Sequence, residues 1–269
     1  MNETETVKET ELEEGRYVYC IVNSADELSL GNIGIENAKV YTIPYKDIAV
    51  VVHACQSQPY QSKDTNKVTE WIFSHNDVID KATKHFGTVL PFSFDAIIKG
   101  NDAAIKDWLS KGYEKLKQEL ERLRDKAEYT VQIFCDQDKL MRKILDEDPA
   151  LKELKEKIGK MPERAAYLLH RKFELKVKDA YNKLRAKLAE EFALNIKEHV
   201  EEMKIEGKVS HLPEKYKDKK LVVAFSCLVR KDNVKSLGRV LGKIRTQEGY
   251  VIRFTGPWAP FSFVRLEEI

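Results

Sequence analysis

The sequence predicts an α+β fold in two domains, and three observations lead there. In both halves, short runs rich in β-branched and aromatic residues alternate with segments whose apolar residues recur every three or four positions. The second half orders these elements as strand, long helix, strand, strand, helix, strand, the split-βαβ order of a modified ferredoxin-like domain. The 269 residues are long for a single core, and a 42% hydrophobic content suffices to fill two.

The first domain is expected over residues 16–127. "RYVYCIVNS" from Arg16 reads as a strand, and "KVYTI" and "IAVVVHAC" read as a hairpin with Pro44 in the turn "PYKD" between them. "SLGNIGIEN" reads as a loop. Val68, Trp71, Ile72, Val78, Ile79 and Ala82 form the apolar stripe of a helix that Gly87 ends. "TVLPFSF" returns as a short strand interrupted by Pro91, and "NDAAIKDWLSKGYEKLKQELERLRDKA" makes a second helix capped by Asn101 or Asp102.

The second domain is expected over 128–269. "YTVQIFCD" is a strand with Tyr129, Val131, Ile133 and Cys135 on one face. "DKLMRKILDE" is helical, and Asp148–Pro149 restarts a helix with Pro at its first position. Pro162 opens a long helix, 163–206, which meets no Gly or Pro before its end and would run roughly 66 Å. Its stripe, Leu169, Phe173, Val177, Ala180, Leu184, Leu188, Phe192, Ile196, Val200 and Met203, is too long for a small domain to cover completely. Part of it is expected to pair with another helix or to project. "KVSHL" and "KLVVAFSCLV" are strands, "NVKSLGRVLGKI" is a helix capped by Asn233, and "YVIRFTG" closes the sheet.

Charge is unevenly placed. Residues 1–15 hold six Glu against one Lys, so the formal +2 of the whole chain leaves about +7 on the remainder. That acidic tail has too few apolar residues to offset its ordering entropy and is expected to be disordered. Elsewhere bases and acids interleave along helices, as solvated faces do, so no nucleic-acid partner is expected. The longest uncharged apolar run, "LVVAFSCLV", is far short of a bilayer span, so no membrane partner is expected either. Four scattered cysteines without a CxxC pair fit reduced thiols in a cytoplasmic protein.

Chemistry-bearing motifs are missing from the sequence. It holds no GxGxxG, GxxxxGK[ST], HExxH or GxSxG pattern. His75 and His85 sit ten apart on one helix, about 280° around its axis, and cannot converge on a metal. Paired carboxylates such as those at 146–148 lie on charged helices with no apolar cleft beside them. No catalytic residue, cofactor or metal is expected. "GYVIRF" resembles the aromatic strand of an RNA-recognition motif only loosely, because Ile252 stands where a second stacking ring belongs. RNA binding and small-ligand sensing by a ferredoxin-like domain are the rival functions.

Several stretches, in order over 16–264, together resemble the gas vesicle protein F/L family (GvpF/GvpL). "TGPWAPFSFV" looks like that family's terminal TGPWPPYSFV-type motif, with Ala259 in place of a Pro and Phe261 in place of a Tyr. "RYVYCIV", "HNDVIDKATKHFGTVLPFSFDAIIK", "EYTVQIFCD" and "PERAAYLLHRK" are similar to further segments of it. Asp95-Ala96-Ile97 departs from a Gly-Thr-aromatic run common in the family. The resemblance implies two α+β domains and a non-enzymatic accessory role in gas vesicle formation. It implies association with the small hydrophobic major shell protein and with other accessory proteins, and in some cases retention as a minor vesicle component.

Two partner-binding surfaces follow from this reading. One is the long-helix stripe at Leu188, Phe192, Ile196 and Val200, for which core burial is the alternative. The other is an exposed strand edge receiving a partner strand; beyond these, Trp258, Phe261 and Phe263 plug the interface between the C-terminal segment and the first domain, or Trp258 and Phe261 meet a partner.

Overall fold

A computed structural model describes residues 13–207, 213–247 and 249–266. The acidic tail up to residue 12 and the expected strand "KVSHL" at 208–212 lie outside these. The chain divides into two compact units. One runs to Ala127 and resumes at Trp258; the other is Glu128–Pro257. The residues from Trp258 onward, expected in the second domain, therefore belong with the first.

In the first unit the described strands are β1 (Glu14–Val22), β2 (Ser29–Gly31), β3 (Val40–Tyr45), β4 (Ile48–Gln56), β5 (Val89–Pro91) and β6 (Ile97–Lys99). The sheet order is β2-β3-β4-β1-β5, with β6 also on β1. β1 pairs antiparallel with β4 along its length, and its other edge is shared by β6 at Gly15–Tyr17 and β5 at Cys20–Val22. Glu14 and Gly15, expected in the tail, open this strand opposite Gln56 and Cys55. Helices α1 (Thr65–Phe86) and α2 (Asp102–Arg122) both pack on β1, and every residue of β1 after Glu14 is buried. Asp64 caps α1 and Asn101 caps α2 through their side chains, and Gly87 ends α1 at φ +85°.

Two local readings change. Pro44 lies in β3 opposite Ala49, and Lys46–Asp47 make the turn. β2 pairs at Val40 and Tyr41 and Leu28 accepts from Thr42 N, but among the described residues no strand pairs with Pro44 on this side, so a proline without an N–H is tolerated there. On α1 the buried stripe is Trp71, His75, Val78, Ile79 and Ala82, whereas Ile72 is 40% exposed.

In the second unit β7 (Lys126–Asp136), β8 (Glu202–Ile205), β9 (Lys219–Arg230) and β10 (Tyr250–Trp258) form a sheet of order β10-β7-β9-β8. Helices α3 (Gln137–Glu147), α4 (Pro149–Gly159) and α5 (Glu163–Lys197) follow β7, and α6 (Val234–Thr246) connects β9 to β10. Asp136 and Asp148 cap α3 and α4. Gly256, at φ +129°, bends the end of β10, and a Cβ there would lie 2.7 Å from the Tyr129 ring. Pro257 follows on this edge strand, through a cis bond.

The long helix is shorter than expected, ending at Lys197 instead of 206. Tertiary contacts end it where local sequence offers no breaker. Asn233 stands before α6 as expected, but its side chain donates to His199 O (2.9 Å) instead of capping, and Ser236 Oγ lies 3.0 Å from His199 Nδ1. Residues 202–205 are drawn into the sheet opposite Phe225–Leu228, so Met203 lies on a strand.

Candidate docking surfaces

The α5 stripe divides into two halves. Leu184, Leu188, Phe192 and Ile196 are at most 4% exposed, on a helix that packs against α3, α4, β9 and α6. The Phe192 ring meets Tyr250 edge-on at 5.3 Å. This corrects the expectation for Leu188, Phe192 and Ile196: they are core side chains, which a partner cannot reach while the unit is closed. Val200 lies beyond the helix end and is half-buried. Tyr181 and Arg185 fix the helix by donating to Leu221 O (3.1 Å) and Val222 O (2.8 Å) of β9.

The preceding half of the stripe is open. Phe173 and Val177 are half-buried and, with Leu140, Met141 and Ile144 of α3, line an apolar groove of about 450 Å3. Glu174, Lys178 and Lys220 stand along it. The same helix exposes Leu168 and Leu175, seven residues apart on one face.

In the first unit the C-terminal segment is part plug and part surface. Ala259 and Phe263 are 4% and 1% exposed, while Trp258 and Phe261 are 47% and 39% exposed. α2 holds the main chain here: Arg122 donates to Phe263 O at 2.5 Å, and Glu119 accepts from Arg265 N at 2.8 Å. Glu119 is itself paired with Arg122 at 2.7 Å. Burial pushes the Glu119 carboxyl up, but the hydrogen bonds from Arg122 and the Arg265 N–H outweigh it and leave the pKa lowered.

Beneath this segment lies a tyrosine–histidine cluster. Tyr17 and Tyr19, two apart on β1, share a face and are fully buried. Tyr17 Oη accepts from Asp95 N (3.0 Å) and lies 2.9 Å from His75 Nδ1. His75 Nε2 faces Phe92 O at 3.1 Å, and a carbonyl only accepts. The proton therefore sits on Nε2, and Tyr17 donates to Nδ1.

The second pair repeats the pattern. Tyr19 Oη accepts from Ile35 N (3.1 Å) and donates to His53 Nδ1 (2.8 Å), so His53 Nε2 donates to Tyr60 Oη (3.0 Å). The opposite tautomer would leave the buried Tyr19 proton unpaired. Burial pushes both imidazoles down to about 4, so both rings are neutral near pH 7. The stripe read from the sequence left His75 out, although the 71-75-78-79-82 spacing of the buried residues on α1 includes it; its tyrosine partner required the fold.

Asp95 holds the left-handed conformation (φ +71°) that glycine favours. Its carboxylate accepts from Tyr60 N at 2.9 Å while its own N–H serves Tyr17. Asp95→Ala keeps the strain and loses the acceptor, and is expected to lower stability by about 1–2 kcal/mol in urea unfolding. An unchanged midpoint would contradict this account.

The sequence profile of the gas vesicle synthesis protein GvpL/GvpF family matches residues 15–265. The chain belongs to this family. Gas vesicle protein L1 of Halobacterium salinarum is 30% identical to it over 265 residues, covering 97% of this chain and 94% of that protein. Gas vesicle protein L of Haloferax mediterranei is 27% identical, over 96% and 90% of the two chains. In fold, the crystal structure of gas vesicle protein GvpF from Anabaena sp. PCC7120 superposes with a TM-score of 0.71 at 16% identity, covering 95% of this chain and all of that one. GvpF from Microcystis aeruginosa gives 0.65 at 18% identity, over 94% and 99%. The GvpL/GvpF member described here thus shares their α+β architecture. Among its described residues, no helix is long and apolar enough to cross a membrane, and no group of three or more His, Cys, Asp or Glu is placed to hold a metal ion.

Proposed function

We propose that this GvpL/GvpF family member is a non-enzymatic accessory protein that binds the hydrophobic major shell protein and assists vesicle assembly in the cytoplasm. The open groove between α3 and α5 is the observation that carries this reading. A shell subunit with a large apolar face aggregates unless that face is covered. A groove lined by Leu140, Met141, Ile144, Phe173 and Val177 fits one apolar helix face, and the unbranched Met141 adapts to it. Trp258 and Phe261 supply a second exposed apolar surface, on the first unit.

Phe173→Asp tests the groove. The side chain is half-buried, so the charge remains solvated and the fold is expected to survive. Retention of the shell protein in co-purification is expected to fall at least about tenfold, as loss of one anchoring side chain does. Unchanged retention by a Phe173→Asp, Val177→Asp double variant would remove the groove from the proposal.

A further inference from the structure

In the first unit, β3 and β4 part before the end of β4. β3 pairs with β4 from Tyr41, opposite Val52, onward, and upstream of that point its chain departs through a turn at Ile35–Asn37. β4 runs on to Gln56, still paired with β1 on its other side. A cleft of about 430 Å3 opens at the fork, lined by Ile35, Glu36 and Ala38 from the departing chain and by residues 53–56 of β4. It plays no part in the docking surfaces above.

Alternation along β4 fixes where its main-chain groups point. Ser57 N donates to Glu13 O at 2.7 Å, so residues 53, 55 and 57 turn their N–H and C=O groups toward β1. Ala54 and Gln56 turn theirs the other way, to the side that β3 has left. Gln56 O accepts from Gln58 N at 2.8 Å. The Ala54 N–H, the Ala54 carbonyl and the Gln56 N–H have no partner among the described residues, and both residues are exposed. Together they form a short open strand edge.

Tyr60, which lines the same cleft, adds a donor. The Ile35 N–H occupies Tyr19 Oη, Tyr19 gives its proton to His53 Nδ1, and His53 Nε2 gives its own to Tyr60 Oη. The Tyr60 proton then has no acceptor among the described residues. The Tyr60 N–H is tied to the Asp95 carboxylate at 2.9 Å, which holds this donor in place.

The side chains around the edge offer little by comparison. Ile35 and Trp71 are 0% and 6% exposed. Glu36 is neutralised by Lys67 at 3.0 Å, and the same lysine stands 4.9 Å over the Trp71 ring. What the cleft displays is main-chain hydrogen-bonding capacity, which extended polypeptide matches.

We propose that this cleft binds an extended segment of a partner polypeptide, which adds to β4 at Ala54 and Gln56 as a short strand. The segment's main chain accepts from the two N–H groups and from Tyr60, and donates to the Ala54 carbonyl.

Hydrogen exchange of the Ala54 and Gln56 amides, followed by NMR in the full-length 15N-labelled protein, tests this. A capped hexapeptide of alternating threonine and valine is expected to slow both amides at least about tenfold at saturation, as pairing in a ladder does. The same peptide N-methylated at every residue keeps its side chains, loses its main-chain donors and is expected to bind at least about tenfold more weakly. Ala54→Pro removes the open N–H without breaking a ladder bond, as Pro44 does in β3. The fold is expected to stand, and the affinity read at Gln56 to fall at least about tenfold. Exchange unmoved by the unmodified peptide overturns the proposal. So does equal binding of the two peptides, or undiminished binding by a folded Ala54→Pro protein. Amides protected in the free protein and released by deleting residues 1–12 also overturn it, by giving the edge to this chain's own first residues. If Ala54→Pro unfolds the protein, the N-methylated peptide still decides.

Discussion

Acidification from about pH 6.5 to 4 is expected to strip this protein of up to about 6 kcal/mol of folding stability, through two buried rings. His53 and His75 are each 1% exposed and titrate near 4 in the folded state, against 6.5 for an ordinary imidazole. Below about 6.5 the unfolded chain takes up a proton on each ring that the folded chain refuses until about pH 4. The unfolded state thus holds more protons in that window, and stability falls as pH falls. Each ring accounts for about 3 kcal/mol, and together they give a slope near 2.7 kcal/mol per pH unit. Against a usual total of about 5–15 kcal/mol, this is enough to bring acid unfolding close to pH 4–5. Glu119, whose carboxyl is lowered in the fold, acts in the same direction at still lower pH. Urea unfolding between about pH 7 and 5 separates the two contributions. His75→Gln, which still presents an acceptor and a donor, is expected to halve the slope there. A flat profile over that range would refute the buried neutral pair.

Phe263→Ala and Trp258→Ala, five residues apart, are expected to behave oppositely. Phe263 is 1% exposed, its carbonyl is held by Arg122, and its removal is expected to cost about 3–5 kcal/mol. Trp258 is 47% exposed, and its truncation is expected to cost less than about 1 kcal/mol. If Trp258 meets the shell protein, retention falls for this variant without a shift in melting temperature. Equal melting losses for the two variants would contradict the division between plug and surface. Intact shell-protein retention by Trp258→Ala would confine docking to the groove.

The residues that spelled out the fold were those whose local chemistry and tertiary fate agree. "RYVYCIV", "KLVVAFSCLV", the Asn101 and Asp148 caps and the Gly87 stop all act within a few residues, so the sequence displays them directly. β2 and β6 are three residues each and exist only through their partners, which no local pattern reveals. The end of α5 was illegible for the same reason. Nothing between Lys197 and Glu202 breaks a helix; Asn233, Ser236 and β9 do so from a distance.

The stripe on α5 showed a surplus of apolar surface, but the half left open depended on where β9 and α6 lie. Leu188 and Phe173 look alike as sequence and differ in cover. The family resemblance pointed to the terminal aromatic motif, and the structure separates its buried Phe263 from its exposed Trp258 and Phe261. The tyrosine–histidine pairs were out of reach, since Tyr17 and His75 are 58 residues apart and no local pattern joins them.

The assignment of Trp258 onward to the first unit has a consequence for how the polypeptide is made. As synthesis proceeds, the whole Glu128–Pro257 unit emerges before Phe263 and Arg265 are available to α2. The unit begun first is therefore completed only after the second has been made. Until then Arg122 and Glu119 await the main-chain groups that they will clamp, and a nascent chain stalled before Phe263 carries an unfinished core.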